Sequence, residues 1–224
     1  MAVIAVAQFS AVEDTDANVE TISRLVAEGA SGGAALVAFP EYAASTPPVL
    51  DQRLAAHAQP LDGPFVDALG NLAATHGVAI IAGMAESLPG SHLVHNTVVA
   101  VMPDGSLAAT YRKVHLFDAL GVCESDWVTP GDPQQVAVVD LGGVRVGIQT
   151  CYDLRFPEST RVLADGGADV VVVPSQWVPG PHKVEQWRTL LAARAIENSV
   201  YVVGAGQTLP TGVGHSVILD PMGL

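Results

Sequence analysis

Lysine is nearly missing from this sequence. Only Lys113 and Lys183 occur in 224 residues, and the other eight cations are arginine. Acidic residues are present in ordinary number, so the net charge of −13 reflects missing lysine rather than surplus acid. A surface this acidic repels phosphate backbones and anionic membranes, which argues against nucleic acid or a membrane as partner. The scarcity is compositional bias toward Ala and Gly, or it makes each surviving lysine worth a look.

Cysteine is equally sparse. Cys123 and Cys151 have no C-x-x-C spacing and cannot build a disulfide framework. Free thiols persist in reducing compartments, and "MAVIAVAQFSAVED" lacks a basic leader and a run long enough for a signal or a membrane span. The expected compartment is therefore the cytoplasm. There is no H-E-x-x-H, no G-x-S-x-G and no P-loop. "GAGQTL" (204–209) starts like a dinucleotide fingerprint but lacks the third glycine. His92 and His95 are spaced H-x-x-H with no carboxylate or cysteine close by, a poor ligand set for a metal. No cofactor and no metal are expected.

What is present is a globular composition, 49% apolar and 15% charged, long enough for one domain over 1–224. Strand patterns fall at 3–9, 35–39, 78–83, 97–102, 107–111, 135–140, 144–149, 169–174, 201–206 and 215–220. Helical periods fall from about residue 16, with Val19, Ile22, Leu25 and Val26 on one face, at 65–77, after Pro157, and at 183–199. In the last of these, Val184, Trp187, Leu191 and Ile196 are expected to point inward. Alternating strands and helices predict an α/β fold. Hairpin signals at Pro103-Asp104-Gly105 and Gly142-Gly143 make its sheets mixed.

Three chemistry-bearing residues share one placement. Glu41, Lys113 and Cys151 each come two residues after a strand pattern ends. Ligands of α/β sheets bind beyond the carboxyl ends of strands, so an acid, a base and a thiol can converge there. A thiol must lose its proton to attack a carbonyl carbon, a carboxylate can carry that proton, and an ammonium can hold the oxyanion. The backbone N–H of Tyr152, next after the cysteine, is a second oxyanion donor. Each residue also has a plainer fate: Cys151 as packing, Glu41 as a solvated strand-end acid, Lys113 as a surface charge beside Arg112. Nothing places a base beside Cys123, which is expected to be inert.

At these residues the sequence resembles the nitrilase superfamily of carbon–nitrogen hydrolases. "VAFPEYA" (37–43) is similar to that family's glutamate motif, "YRKVHLFD" (111–118) to its lysine motif and "GIQTCYDLRFPE" (147–158) to its cysteine motif; "WRTLLAARAIENSVYVV" (187–203) also matches. The resemblance runs from about residue 2 to residue 224. It implies a four-layer α-β-β-α sandwich with two mixed β-sheets, homodimers or higher homo-oligomers, and cofactor-free hydrolysis. Cys151 would attack an amide carbon, Glu41 would act as base and then acid, and Lys113 would hold the oxyanion. Glu124 would support the site, its alternative being a loop acid. "CYDLRFPE" is similar to the Nit-type amidases, including omega-amidase and deaminated glutathione amidase, which implies a small, carboxylate-bearing amide as substrate. Arg155 is a candidate to bind that carboxylate, or it forms an internal salt bridge with Glu158 or Asp153. Trp177 is a second candidate substrate contact. A nitrilase, an N-carbamoyl amine hydrolase or a non-catalytic scaffold on the same fold are the competing readings. Family members usually continue some forty residues past the "DPMG" turn, and this sequence lacks that strand and tail; a dimer built from the remaining surfaces, or a chain stabilised by a neighbour that covers the open edge, is expected.

Overall fold

The computed structural model describes residues 2–224. Two five-stranded sheets make its centre. The first runs in the order β1 (Ile4–Val6), β2 (Leu36–Ala38), β3 (Ala79–Ser87), β4 (Val94–Val101), β5 (Leu107–Arg112). The second runs β10 (Val217–Leu219), β9 (Tyr201–Gly206), β8 (Val170–Ser175), β7 (Val144–Ile148), β6 (Val138–Leu141). Both are mixed: β1, β2 and β3 are parallel, as are β7, β8 and β9, and the outer hairpins are antiparallel.

Period-two alternation explains why the strands read as unbroken apolar runs. Along β8, Val170 and Val172 face the other sheet, while Val171 and Val173 face helices. Along β2, Leu36 and Ala38 face inward between the sheets and Val37 faces outward. The outer face of the first sheet is covered by α1 (Thr15–Ser31) and α2 (Pro64–His76). The outer face of the second is covered by α3 (Pro157–Asp165) and α4 (Lys183–Asn198). The result is the expected four-layer α-β-β-α sandwich.

Local chemistry sets the boundaries. The Asp14 side chain accepts from the N–H groups of Asp16 and Ala17 and opens α1. Pro64 opens α2, and Gly77, at φ +65°, closes it in the left-handed region. Gly142 and Gly143, both at positive φ, let β6 turn into β7 in two residues, as that turn demands. Some elements are shorter than expected: β1 ends at Val6 and β6 begins at Val138, and beyond them single backbone hydrogen bonds, from the Ala7 N–H to the Ala38 carbonyl and from the Ile148 N–H to the Ala137 carbonyl, carry the pairing one residue further. Ile196 is 56% exposed, not inward. The buried stripe of α4 runs through Lys183, Trp187, Leu191, Arg194 and Ala195, which leaves Ile196 outside it. Among the described residues, no helix is long and apolar enough to cross a membrane.

Candidate active site

The structure brings Glu41, Lys113 and Cys151 together, each buried to within 2–8% exposure. They line one cavity of about 270 Å³, together with Glu124, Tyr152, Gln176, Trp177 and Lys183. Two of the plainer fates fail, since the acid is not solvated and the lysine is not on the surface; Cys151 packs in a core cluster and also lines the cavity. The size suits a small molecule.

Glu41 follows Pro40 just past the end of β2. Its loop bends sharply because Tyr42 takes φ +53°, an unfavourable region for an aromatic residue. Gly83 on β3 permits the close approach that this bend requires. The carboxylate is then held from three directions. Oε1 accepts from Asn96 Nδ2 at 2.6 Å and from Lys113 Nζ at 3.1 Å, and Oε2 accepts from the Gln176 backbone N–H at 2.6 Å. Behind it, Gln207 Nε2 donates to the Glu41 carbonyl at 2.8 Å and to Thr46 Oγ1 at 2.8 Å.

Lys113 follows β5 directly. Its ammonium donates to Glu41 Oε1 and to both oxygens of Glu124, at 3.1 and 2.9 Å. Burial works against this charge, but Glu124 and then Glu41 outweigh it and hold the Lys113 pKa well above the ordinary lysine value. Glu124 also accepts from the Phe117 N–H at 2.6 Å, from Asn96 Nδ2 at 3.2 Å and from Tyr42 Oη at 3.3 Å. The loop acid of the sequence is thus a buried brace on the ammonium. Burial, with Glu124 and Glu41 nearby, raises the Tyr42 phenol well above its ordinary value, so it remains a donor.

Cys151 opens a 3-10 turn, Cys151–Arg155, after β7. It sits at φ +45°, a conformation that costs a non-glycine residue about 1–3 kcal/mol and that clusters at functional sites. Two anchors enforce it. Asp153, fully buried, accepts from the Thr150 N–H at 3.1 Å, Tyr111 Oη at 2.8 Å, the His115 N–H at 2.9 Å and His115 Nδ1 at 2.8 Å. Arg194, on α4, donates from Nε and Nη2 to the Leu154 carbonyl at 3.0 and 2.7 Å. Asp153 therefore ties the cysteine turn to the segment that carries Lys113. Burial first, and then the Glu41 charge, push the Cys151 thiol pKa up; Lys113 and the Ser175 hydroxyl pull the other way without reversing it. The resting cysteine is a thiol next to a carboxylate, which needs a proton transfer before it can attack.

Among the remaining candidates, Trp177 lines the cavity and donates from Nε1 to the Lys183 carbonyl at 2.9 Å. Arg155 forms neither of the expected salt bridges. Its Nη2 donates to Gln186 Oε1 at 2.6 Å, and its guanidinium lies 5.1 Å from the Trp177 ring and 5.8 Å from the Tyr152 ring. Cys123 is exposed, with its sulfur 3.4 Å from Ser125 Oγ. His95 turns Nδ1 to the Thr129 carbonyl at 2.8 Å. Three contributors escape the sequence reading, Asn96, Gln176 and Gln207; Lys183 stands out there only through the scarcity of lysine. The strand-end rule extends to Gln176 and Gln207, which follow β8 and β9 directly. Gln207 lies inside the segment that reads as a broken dinucleotide fingerprint.

A thiol, a carboxylate and an ammonium are thus buried together at the strand ends of an α-β-β-α sandwich. A family model described as carbon–nitrogen hydrolase matches residues 3–224, and the chain belongs to that family. A Mycobacterium tuberculosis protein named only as a hydrolase is 39% identical over 236 residues, covering 98% of this chain and 82% of its own length. The deaminated glutathione amidase of Escherichia coli O157:H7 is 34% identical over 222 residues, covering 99% of this chain and 83% of its own. Among solved structures, a variant of the amidase from Nesterenkonia sp. AN1 superimposes with a TM-score of 0.84 at 26% identity, covering 98% of this chain and 82% of that one. That structure shows covalent addition of the acetamide moiety of fluoroacetamide at its active-site cysteine.

Proposed function

We propose that the chain hydrolyses the amide of a small, carboxylate-bearing substrate through a thioester on Cys151, releasing ammonia. The observation that carries this reading is the Lys113 ammonium between Glu41 and Glu124, facing the same cavity as the Cys151 thiol. It supplies a nucleophile, a proton carrier and a fixed positive charge within one enclosed space.

Glu41 takes the thiol proton as Cys151 Sγ bonds to the amide carbon. The carbonyl oxygen becomes an oxyanion, met by Lys113 Nζ and the Tyr152 N–H. Two such donors are each worth about two to three orders of magnitude in rate. Glu41 then hands the proton to the departing nitrogen, the C–N bond breaks, and ammonia leaves a thioester behind. Water, deprotonated by the same carboxylate, attacks the thioester carbon. The C–S bond breaks, the proton returns to sulfur, and a carboxylic acid is released. Glu124 serves throughout as the counter-charge that fixes Lys113. No cofactor enters these steps. The carboxylate of the substrate is supported by the E. coli amidase, whose named substrate class is a deaminated glutathione, and by the positive charges of Arg155 and Lys183 near the cavity.

The test is ammonia release from a panel of 2-oxoglutaramate, deaminated glutathione, succinamate, glutamine, a simple nitrile and an N-carbamoyl amino acid, by the wild type and by Cys151→Ala. Release from an amide acid that disappears in the variant is expected. Release from the nitrile or the carbamoyl compound alone would replace the amidase reading. Self-association through the open edge of β10, where Ile218 is 41% exposed, belongs to the same reading. Light scattering showing a monomer would remove it.

A further inference from the structure

The cavity holds a second ammonium for which the hydrolytic steps above have no use. Lys183 is 7% exposed and lines the same cavity as Cys151. Lys113 is met by two carboxylates, whereas Lys183, among the described residues, has no ion-pair partner. Its Nζ lies 5.1 Å from the Phe117 ring and 5.2 Å from the Trp177 ring. Aromatic faces attract a cation without neutralising it. A charge this buried without a counter-ion is costly unless something supplies one.

The backbone around it is built to put it there. His182 caps α4 at φ +59°, in the left-handed region where strained residues cluster at functional sites, and Lys183, the first residue of the helix, is buried. The Lys183 carbonyl is pinned by Trp177 Nε1. Burial and the Arg155 guanidinium pull the Lys183 pKa below the ordinary lysine value, while Cys151 acts the other way. An anion arriving beside Lys183 would restore the balance that the chain leaves open.

We propose that Lys183 binds the carboxylate of the substrate and thereby selects amides that carry a carboxylate over neutral amides of the same size. The inference rests on the amidase reading above for what happens at the other end of the substrate. The amide carbon sits at Cys151 and Lys113, and the carboxylate sits at the Phe117–Trp177 end of a cavity of about 270 Å³. Arg155, held by Gln186, adds positive charge behind Trp177. The two lysines divide the work: one is committed to the protein's own carboxylates, the other to the ligand's.

The test uses binding, so that it does not depend on turnover. Succinamate and succinamide are titrated calorimetrically into Cys151→Ala and into Cys151→Ala combined with Lys183→Met, Lys183→Gln or Lys183→Arg. Succinamate is expected to bind Cys151→Ala about tenfold or more tightly than succinamide, a typical effect of one enclosed charge pair. The preference should vanish in the Met and Gln variants and survive in large part in the Arg variant. Equal affinity for the two ligands in Cys151→Ala, or a preference that persists in folded Met and Gln variants, overturns the proposal. Ammonia release by the wild type is measured alongside. Its absence would overturn the amidase reading, while the binding preference would still decide the role of Lys183.

Discussion

Gly83 lies so close to Glu41 that a β-carbon at position 83 would stand 2.6 Å from the Glu41 Cα and 2.7 Å from the Tyr42 nitrogen. Both neighbours are backbone and cannot swing aside. Gly83 is also hydrogen-bonded into the bend, its N–H to the Pro40 carbonyl at 3.1 Å and its carbonyl to the Ala44 N–H at 3.2 Å. Gly83→Ala therefore has to move the segment that aims the Glu41 carboxylate. Misplacement by about 1 Å costs on the order of a hundredfold in rate, and overpacking costs about 1–3 kcal/mol. We expect kcat to fall at least tenfold, with a lower melting temperature. Wild-type kinetics in Gly83→Ala would show that the contact relaxes without consequence.

Glu41→Gln separates the two effects of that carboxylate on Cys151. As base it promotes catalysis, yet as a charge it opposes ionisation of the thiol. The variant should lose about two to four orders of magnitude in kcat/KM, while the thiol titrates at lower pH than in the wild type. Thiolate absorbance against pH reads the second effect. A thiol that becomes harder to ionise in Glu41→Gln would contradict the electrostatic account.

Asp153 acts at one remove from the chemistry, as a positioning residue. It joins the cysteine turn, Tyr111 and the His115 segment. Asp153→Ala strands buried donors at about 1–3 kcal/mol each, and the melting temperature should fall. Asp153→Asn keeps the shape but only one of the two acceptor oxygens, so it should recover stability in part and kcat less. Equal recovery of both would reduce Asp153 to packing.

Glu86 gives the fold an acid limit next to the site. Burial pushes its carboxyl upward in pKa, but Arg112, at 2.6 and 2.8 Å, and the Thr97 hydroxyl, at 2.7 Å, outweigh it and leave the value lowered. A carboxylate with a depressed folded pKa stabilises the protein above its unfolded value, near 4.5. That stabilisation is lost as pH falls through the lower, folded value. Thermal melts from pH 7 downward should show wild-type stability dropping below that point, and Glu86→Gln should flatten this part of the profile.

Much of this architecture was legible in the residues. The strand runs, Gly77, Gly142-Gly143 and Pro157 fixed elements to within a few positions, because each acts through local backbone preference. Glu41, Lys113 and Cys151 were legible because strand ends present side chains to one mouth of the sandwich. Asn96 was not, since it lies within β4, and only the register of β4 against its neighbours shows which face it takes. Lys183 read as the start of a helix. Its burial depends on the left-handed His182 and on Phe117 and Trp177 from distant parts of the chain, a tertiary arrangement without a local signature. Helical period alone allows Ile196 on the inward face, and the narrow buried stripe through Arg194 excludes it.

The central claim is a covalent step at Cys151, and peptide mass spectrometry tests it most directly. Wild-type protein is mixed with succinamate, quenched in acid during turnover and digested. The account predicts an added acyl group, the substrate minus ammonia, on the peptide carrying Cys151, absent from Cys151→Ala. Steady ammonia release with no adduct on that peptide, or release that continues in Cys151→Ala, would contradict it.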